Sequence, residues 1–355
     1  MMKQIYQQFR LDGHVIGCIP FGNGHINRTF LVVTNRARLY ILQDMNSDIF
    51  KDIPGVMENV AAVCAHLRKK DSDPRHSMTI VPTLAGSTFL EAEGRYWRMF
   101  DYVTDGICLD LPETAEDLFQ CGAAFGTFQN HLADFPAETL HETIPQFHDT
   151  PNRFRQLRQA IAENRSGRLH EVEAEVNALL AYEKQAGYMV GLCAEGRLPL
   201  RVTHNDTKLN NVMLDAATRT PLCVMDLDTV MPGLIANDFG EAVRTGASTA
   251  AEDETDLSKV SLSLEMYEAY CRGFLGACGK SLTPLEIETL PWGPKLMTIE
   301  NATRFLADHL NGDVYFHIAR EGHNLDRCRA QLALVTDMER KWDEMNRIIR
   351  DLTAR

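Results

Sequence analysis

The sequence predicts an α+β chain of two lobes, a small antiparallel-sheet lobe over residues 1–103 and a larger, mainly helical lobe over 104–355. Three observations carry this reading. Short apolar runs separated by turn residues crowd the first hundred positions, the pattern of strands. From Pro112 onward apolar residues recur at three- and four-residue spacing, the pattern of helices. A length of 355 residues exceeds the usual size of one domain.

Residues 1–14 read as a short amphipathic helix with Ile5 and Phe9 on one side. A strand, a Gly-bearing turn at Gly22-Asn23-Gly24 and a second strand follow, then a third strand from Arg38 to Gln43. Val56, Val60, Val63 and Leu67 form one stripe of a helix over 54–70, with Pro54 near its start, where proline is tolerated. Met78 to Leu84 and Tyr96 to Phe100 complete about five strands, and Asp101-Tyr102-Val103-Thr104 joins the lobes. In the second lobe one helix runs through Leu118, Phe125 and Leu132, another starts at Asp149-Thr150-Pro151, and a third covers 166–192. Two helical segments span 283–311, residues 313–317 form a loop or short strand, and one long helix carries Leu325 through Ile349.

Hydrophobic residues make up 45% of the chain, and the formal net charge is -13. An acidic chain repels nucleic acid and anionic membranes, so neither is expected as a partner. No run of eighteen apolar residues is present, so no membrane span is expected. The N-terminus lacks the apolar core of a signal peptide. Nine scattered cysteines without a CxxC pair read as reduced core thiols. The expected location is cytoplasmic.

The chemistry concentrates in Thr203-His-Asn-Asp-Thr-Lys-Leu-Asn-Asn211 and Asp226-Leu-Asp228. Apolar runs at 198–202, 212–214 and 222–225 flank these stretches and hold them as loops between strands. His204, Asp206 and Asn211 have the order and spacing of a kinase catalytic loop, and Asp226 follows at the end of a strand-like run. A carboxylate base, an ammonium at Lys208 and ligands for a divalent ion are what phosphoryl transfer from a nucleotide–Mg²⁺ complex requires. The expected architecture is therefore the bilobal protein-kinase-like fold, with ATP and Mg²⁺ as its partners. Asp206 is expected as the catalytic base, with Asn211 and Asp226 on the metal. In that fold the backbone at Asp101 and Val103 meets the adenine. Gly22 and Gly24 let N–H groups approach phosphate. The third strand should carry a phosphate-binding lysine, but Gln43 stands there, so either Lys208 or an arginine supplies the charge or the nucleotide is held mostly through Mg²⁺. His148 is expected to be structural.

Two other patterns mislead. Asp238-Phe-Gly240 spells the kinase DFG triplet but lies too far beyond Asp206. Asp238 is expected instead to cap a helix and brace the catalytic loop. Gly273 to Ser281 nearly matches a phosphate-binding P-loop but ends a helical pattern instead of following a strand.

With these residues in view, the chain resembles the aminoglycoside phosphotransferase-like (choline-kinase-like) family. Phe21-Gly-Asn-Gly-His-Ile-Asn27, Tyr40 to Asn46, His148-Asp-Thr-Pro151, Val202 to Asn211, Asp226-Leu-Asp-Thr229, Gly246 to Thr249 and Arg304-Phe-Leu-Ala-Asp308 are similar to the bacterial N-acetylhexosamine 1-kinases, over nearly the whole length. That resemblance implies transfer of the ATP γ-phosphate to the anomeric hydroxyl of N-acetylglucosamine or N-acetylgalactosamine. It implies that Asp228 touches metal or sugar. It puts His25, Arg304 and Tyr315 on the sugar, with Arg244 and Thr245 near the rim. The alternatives are a kinase of another small alcohol (an aminoglycoside, choline or homoserine) and a non-catalytic binding protein of the same fold.

Overall fold

The computed structural model describes residues 2–22 and 26–354; Gly24 and His25 lie outside these. In chain order the elements begin with α1 (Met2–Tyr6), β1 (Val15–Pro20), β2 (Arg28–Thr34), β3 (Leu39–Met45) and α2 (Ile53–Lys70). Next come β4 (Leu90–Ala92), β5 (Arg95–Asp101), β6 (Gly106–Ile107), α3 (Ala115–His131) and α4 (Thr150–Glu163). Three short helices, α5 (Glu173–Leu180), α6 (Glu183–Ala186) and α7 (Tyr188–Ala194), lead to β7 (Arg201–Thr203), β8 (Val212–Asp215), β9 (Pro221–Val224) and β10 (Met231–Gly233). The rest is helical: α8 (Ile235–Gly246), α9 (Leu264–Cys278), α10 (Pro284–Thr289), α11 (Trp292–Asn311), α12 (His323–Arg340) and α13 (Trp342–Thr353).

The chain forms two compact units, neither continuous in sequence. One comprises the chain up to Cys108 with Asp134–Pro145 and Asn211–Pro232; the other holds Leu109–Ala133, Gln146–Asn210 and the chain from Gly233.

The first unit is built on a five-stranded antiparallel sheet in the order β1-β2-β3-β5-β4. Ile5, Phe9, Val32, Tyr40, Leu42, Trp97 and Met99 form the core on one sheet face. Helix α2 starts where Asp52 accepts the Gly55 N–H, an N-cap with proline in the first turn. The expected strand at Met78–Leu84 is only a pair of isolated bridges, Ile80 to Phe100 and Phe9 to Thr83. Pro82 has no N–H to extend the ladder. The fifth strand is β4 instead, joined to β5 through Glu93 and Gly94 at φ 57° and 72°, the geometry of a tight two-residue hairpin. The N-terminal helix ends at Tyr6, short of the expected residue 14.

The second unit is helical. Phe154, Leu157, Leu179, Leu192, Ile299, Leu306, Cys328 and Val335 belong to one core. Helix α3 opens on a reciprocal capping box between Thr114 and Asp117. The helix expected over 166–192 is broken into α5, α6 and α7 after a 3₁₀ turn at Leu169–Glu171. Gly167, at φ 73°, and Gly187 punctuate it. The long C-terminal helix is two helices. The break falls at Lys341, whose ammonium reaches Ser261 Oγ, the Leu262 carbonyl and Asp337. The apolar spacing runs on because α12 and α13 each carry a buried face.

Helices α3 and α9 meet backbone to backbone. A Cβ on Gly122 would lie 2.4 Å from the Tyr270 carbonyl oxygen, and one on Gly273 would lie 2.1 Å from that of Phe119. Gly276 on the same α9 has nothing within 4 Å of its Cβ position. In urea unfolding, Gly273→Ala is expected to cost about 1–3 kcal/mol by overpacking. Gly276→Ala is expected to be neutral or to stabilise by up to about 1 kcal/mol.

Candidate active site

In the helical unit the catalytic-loop sequence follows β7. One buried carboxylate fixes it. Asp238 Oδ2 accepts the His204 N–H at 2.8 Å and the Gln129 side-chain amide at 2.9 Å, and Oδ1 accepts the Asn205 N–H at 2.7 Å. The Thr207 hydroxyl donates to the Asp238 carbonyl at 2.5 Å. Burial pushes the Asp238 carboxyl above its ordinary value, although the His204 and Asn205 N–H groups pull it down. Asp238 thus braces the loop as expected but does not cap α8. The capping position is Leu234, and it makes no side-chain cap.

His204 is fully buried, set edge-on to Phe125 and Phe128 at 5.5 and 6.0 Å. Its Nδ1 accepts the Asp206 N–H at 3.2 Å. Asn205 sits at φ 65°, a left-handed conformation that asparagine tolerates. The half-buried Asp206 therefore stands between two anchored residues, Asn205 and Thr207. Its Oδ1 lies 2.7 Å from Lys208 Nζ. Burial lowers the pKa of the Lys208 ammonium, but Asp206 and Glu241 outweigh it and the net shift is upward.

His148 buttresses the same loop. Its Nδ1 faces Glu300 Oε1 at 3.0 Å and its Nε2 faces the Asn205 carbonyl at 3.3 Å. Two acceptors require two N–H donors, hence the imidazolium. Burial alone would depress its pKa, yet the Glu300 charge prevails and the pKa is raised.

In the sheet-bearing unit, β8 and β9 pair with Val212 opposite Val224, and the Met225 N–H donates to the Asn211 carbonyl at 2.8 Å. This hairpin brings Asn211 next to the segment carrying Asp226. Asp226 is less buried than its neighbours and left-handed at φ 56°. Asp228, two residues on, is buried and engaged on both oxygens. Arg98 Nη1 pairs with Oδ1, and Asn27 Nδ2 donates to Oδ2 at 2.7 Å. Among the described residues no group of three or more His, Cys, Asp or Glu side chains forms a metal cage. An amide oxygen and one accessible carboxylate nevertheless fit Mg²⁺, which takes one or two protein carboxylates and completes its shell with phosphate and water.

Gly22 has φ 75°, and a Cβ placed there would have nothing within 4 Å, which leaves its backbone approachable. Gln43 is half-buried. It donates to the Thr29 hydroxyl at 3.2 Å and accepts from Arg98 Nε at 2.9 Å. At the end of β5, burial raises the Asp101 carboxyl although Arg38 and Arg68 oppose it. Its N–H goes to the Thr79 carbonyl and that of Tyr102 to Leu39; Val103 follows outside any strand.

In the helical unit Arg304 lies 5.9 Å from the ring centre of Tyr315 and 5.2 Å from that of Phe316. Tyr315 is 71% exposed. Asp308 shapes their loop: Oδ1 accepts the Val314 and Tyr315 N–H groups and Oδ2 accepts that of Phe316, at 2.9–3.0 Å. Arg153 is close enough to Arg304 that the two charges interact. Arg244 is buried, with its guanidinium on Glu241, Glu252 and Gln331. The Thr245 hydroxyl turns back to the Glu241 carbonyl.

Arg98, Gln129, Arg153 and Asp308 are missing from the sequence reading of side-chain roles. Arg98 left a signal, a charge between the apolar Trp97 and Met99 in mid-strand, but strand register was needed to see its partner. Asp308 left none, because its loop partners are backbone groups.

The His148–Glu300 pair gives a pH signature. His148 has a raised folded pKa, so its contribution to stability is complete below its ordinary 6.5 and is lost as pH rises through the folded value. Glu300 is lowered, so its contribution is lost only as pH falls well below the usual glutamate range. The urea midpoint is expected to decline above about pH 6.5 in the wild type, and to decline less in His148→Gln.

Residues 17–271 match the family described as phosphotransferase enzyme family, APH. Among solved structures, the chain is similar to a microcompartment-associated aminopropanol kinase at 18% identity, covering 97% of this chain and 98% of that one, with a TM-score of 0.60. An aminoglycoside phosphotransferase from Alicyclobacillus acidocaldarius aligns at 11% identity, with coverage of 98% and 96% and a TM-score of 0.63. The amicoumacin kinase hAmiN, solved with AMP-PNP, Ca²⁺ and Ami, aligns at 12% identity, with coverage of 94% and 92% and a TM-score of 0.61. At such identities the likeness is one of fold. It agrees with the expected α+β, kinase-like class, an antiparallel sheet followed by a mainly helical region. The family match covers most of the chain, and the protein belongs to the phosphotransferase enzyme family.

Proposed function

We propose that this phosphotransferase moves the ATP γ-phosphoryl group to the anomeric hydroxyl of an N-acetylhexosamine, N-acetylglucosamine or N-acetylgalactosamine, giving the sugar 1-phosphate. The observation that carries the phosphotransfer is the pinned loop: Asp206 is bracketed by residues tied to Asp238 and paired with Lys208 at 2.7 Å. In-line phosphoryl transfer asks little covalent chemistry of the protein and much positioning. Asp206 orients the acceptor hydroxyl and takes its proton late, as the new bond forms. Lys208 supplies a cation for the transferred phosphoryl oxygens. Asn211 and Asp226 would hold Mg²⁺, which neutralises phosphate charge when bound. The hAmiN structure, with AMP-PNP and Ca²⁺, supports a nucleotide and a divalent ion in this fold.

The sugar assignment rests on the resemblance of the sequence and on the wall made by Tyr315 and its arginines. An exposed aromatic ring backed by Arg304, with Arg153 beside it, suits a neutral polyhydroxyl acceptor carrying an amide. Aminopropanol, ethanolamine and aminoglycosides are cationic, and their sites call for carboxylates or an aromatic cage. Glu300, a carboxylate whose charge reaches both arginines, is committed to His148 and Thr150.

A coupled ADP-release assay tests the reading across N-acetylglucosamine, N-acetylgalactosamine, galactose, mannose, choline, homoserine and kanamycin. Turnover is expected with the N-acetylhexosamines; turnover confined to the amines would overturn the acceptor. Asp206→Asn is expected to cut turnover at least ~10²-fold, and a near-normal rate would remove Asp206 from the mechanism. Arg304→Ala is expected to raise KM for the sugar by about tenfold and to leave KM for ATP unchanged.

A further inference from the structure

A cation reaches Gln43 from one strand away, Arg98 on β5. Gln43 pairs with Thr29 on β2 and with Arg98 on β5, so the three side chains form a row on one sheet face. Arg98 is 1% exposed and Asp228 3%. Their ion pair is therefore almost wholly removed from water. Asp228 is held elsewhere too. Asn27 donates to its second oxygen and in turn accepts the Asn46 N–H at 3.0 Å, and the Thr143 hydroxyl donates to the Asp228 carbonyl at 3.2 Å. A buried ion pair adds little stability over an apolar pair of the same shape, so stability alone does not account for it. What the pair does fix is a 3₁₀ turn, Leu227–Thr229, that begins directly after the left-handed Asp226.

We propose that Arg98 is a positioning residue for the divalent ion: clamped to Asp228, it holds the turn that presents Asp226 and thereby sets metal affinity. The inference rests on the phosphotransfer reading above. Residues that hold a metal's ligands from behind commonly govern its affinity in this way. The arginine's hydrogen-bond partners among the described residues are Gln43, Met57 and Asp228. Its place behind Gln43 makes it the cation of this sheet face, acting through a carboxylate.

The test is a Mn²⁺ titration of the full chain with AMP-PNP, read by the EPR signal of free Mn²⁺, beside AMP-PNP binding without metal. Folding of each variant is checked by circular dichroism. Arg98→Met is expected to weaken Mn²⁺ by about tenfold or more while metal-free AMP-PNP binding stays near wild type. Arg98→Lys, which keeps a charge on Asp228, should recover part of the loss. Should Arg98→Met not fold, Asn27→Ala removes the other clamp on Asp228 and is expected to weaken Mn²⁺ in the same sense. Unchanged Mn²⁺ affinity in folded variants overturns the proposal, and so does an equal loss of metal and metal-free nucleotide binding, which marks a merely structural residue. A wild-type protein that takes up no Mn²⁺ with AMP-PNP overturns the phosphotransfer reading itself.

Discussion

Asp238 is the constraint on which the candidate catalytic loop of the helical unit depends. A loop that must present a carboxylate cannot also satisfy all of its own backbone donors by regular pairing. The His204 and Asn205 N–H groups point inward, and both residues are buried. One carboxylate takes both and the Gln129 amide besides. Unpaired donors at this depth would cost several kcal/mol in all, at about 1–3 kcal/mol each. The same contacts hold Asn205 in its left-handed conformation, the step that turns the chain so that Asp206 stands out from the buried residues on either side of it. A remote helix thus fixes the position of the proposed base.

The sheet-bearing unit uses a parallel strategy at its own acidic segment. There the fixed carboxylate is Asp228, gripped by Arg98 and Asn27, while its neighbour Asp226 remains more accessible. In both places a buried acid in full hydrogen-bond contact stands near an accessible one. The buried acid meets the cost of leaving water through its donors, while the other acid stays more exposed to solvent.

The legible part of the sequence was whatever local pattern decides. The sheet, the α2 stripe, the Asp149 cap followed by Pro151 and the His204–Asp206–Lys208 loop could all be read from spacing and turn chemistry. What could not be read depends on partners far along the chain. The strand at Met78–Leu84 failed because Pro82 interrupts a ladder, whereas the short hairpin through Glu93 and Gly94 lacked an apolar run to announce it. The single C-terminal helix became two because period alone does not report a turn tied down by Lys341. The partner of Gln43 was invisible for the same reason: Gln43 and Arg98 are 55 positions apart and meet only through register.

The loop beside Arg304 has a consequence of another kind. Asp308 grips it entirely through main-chain N–H groups at Val314, Tyr315 and Phe316. The path of the polypeptide there is thus indifferent to what the exposed side chains at 314 and 315 are. Substitutions at these two positions can therefore accumulate without having to redesign the scaffold that displays them.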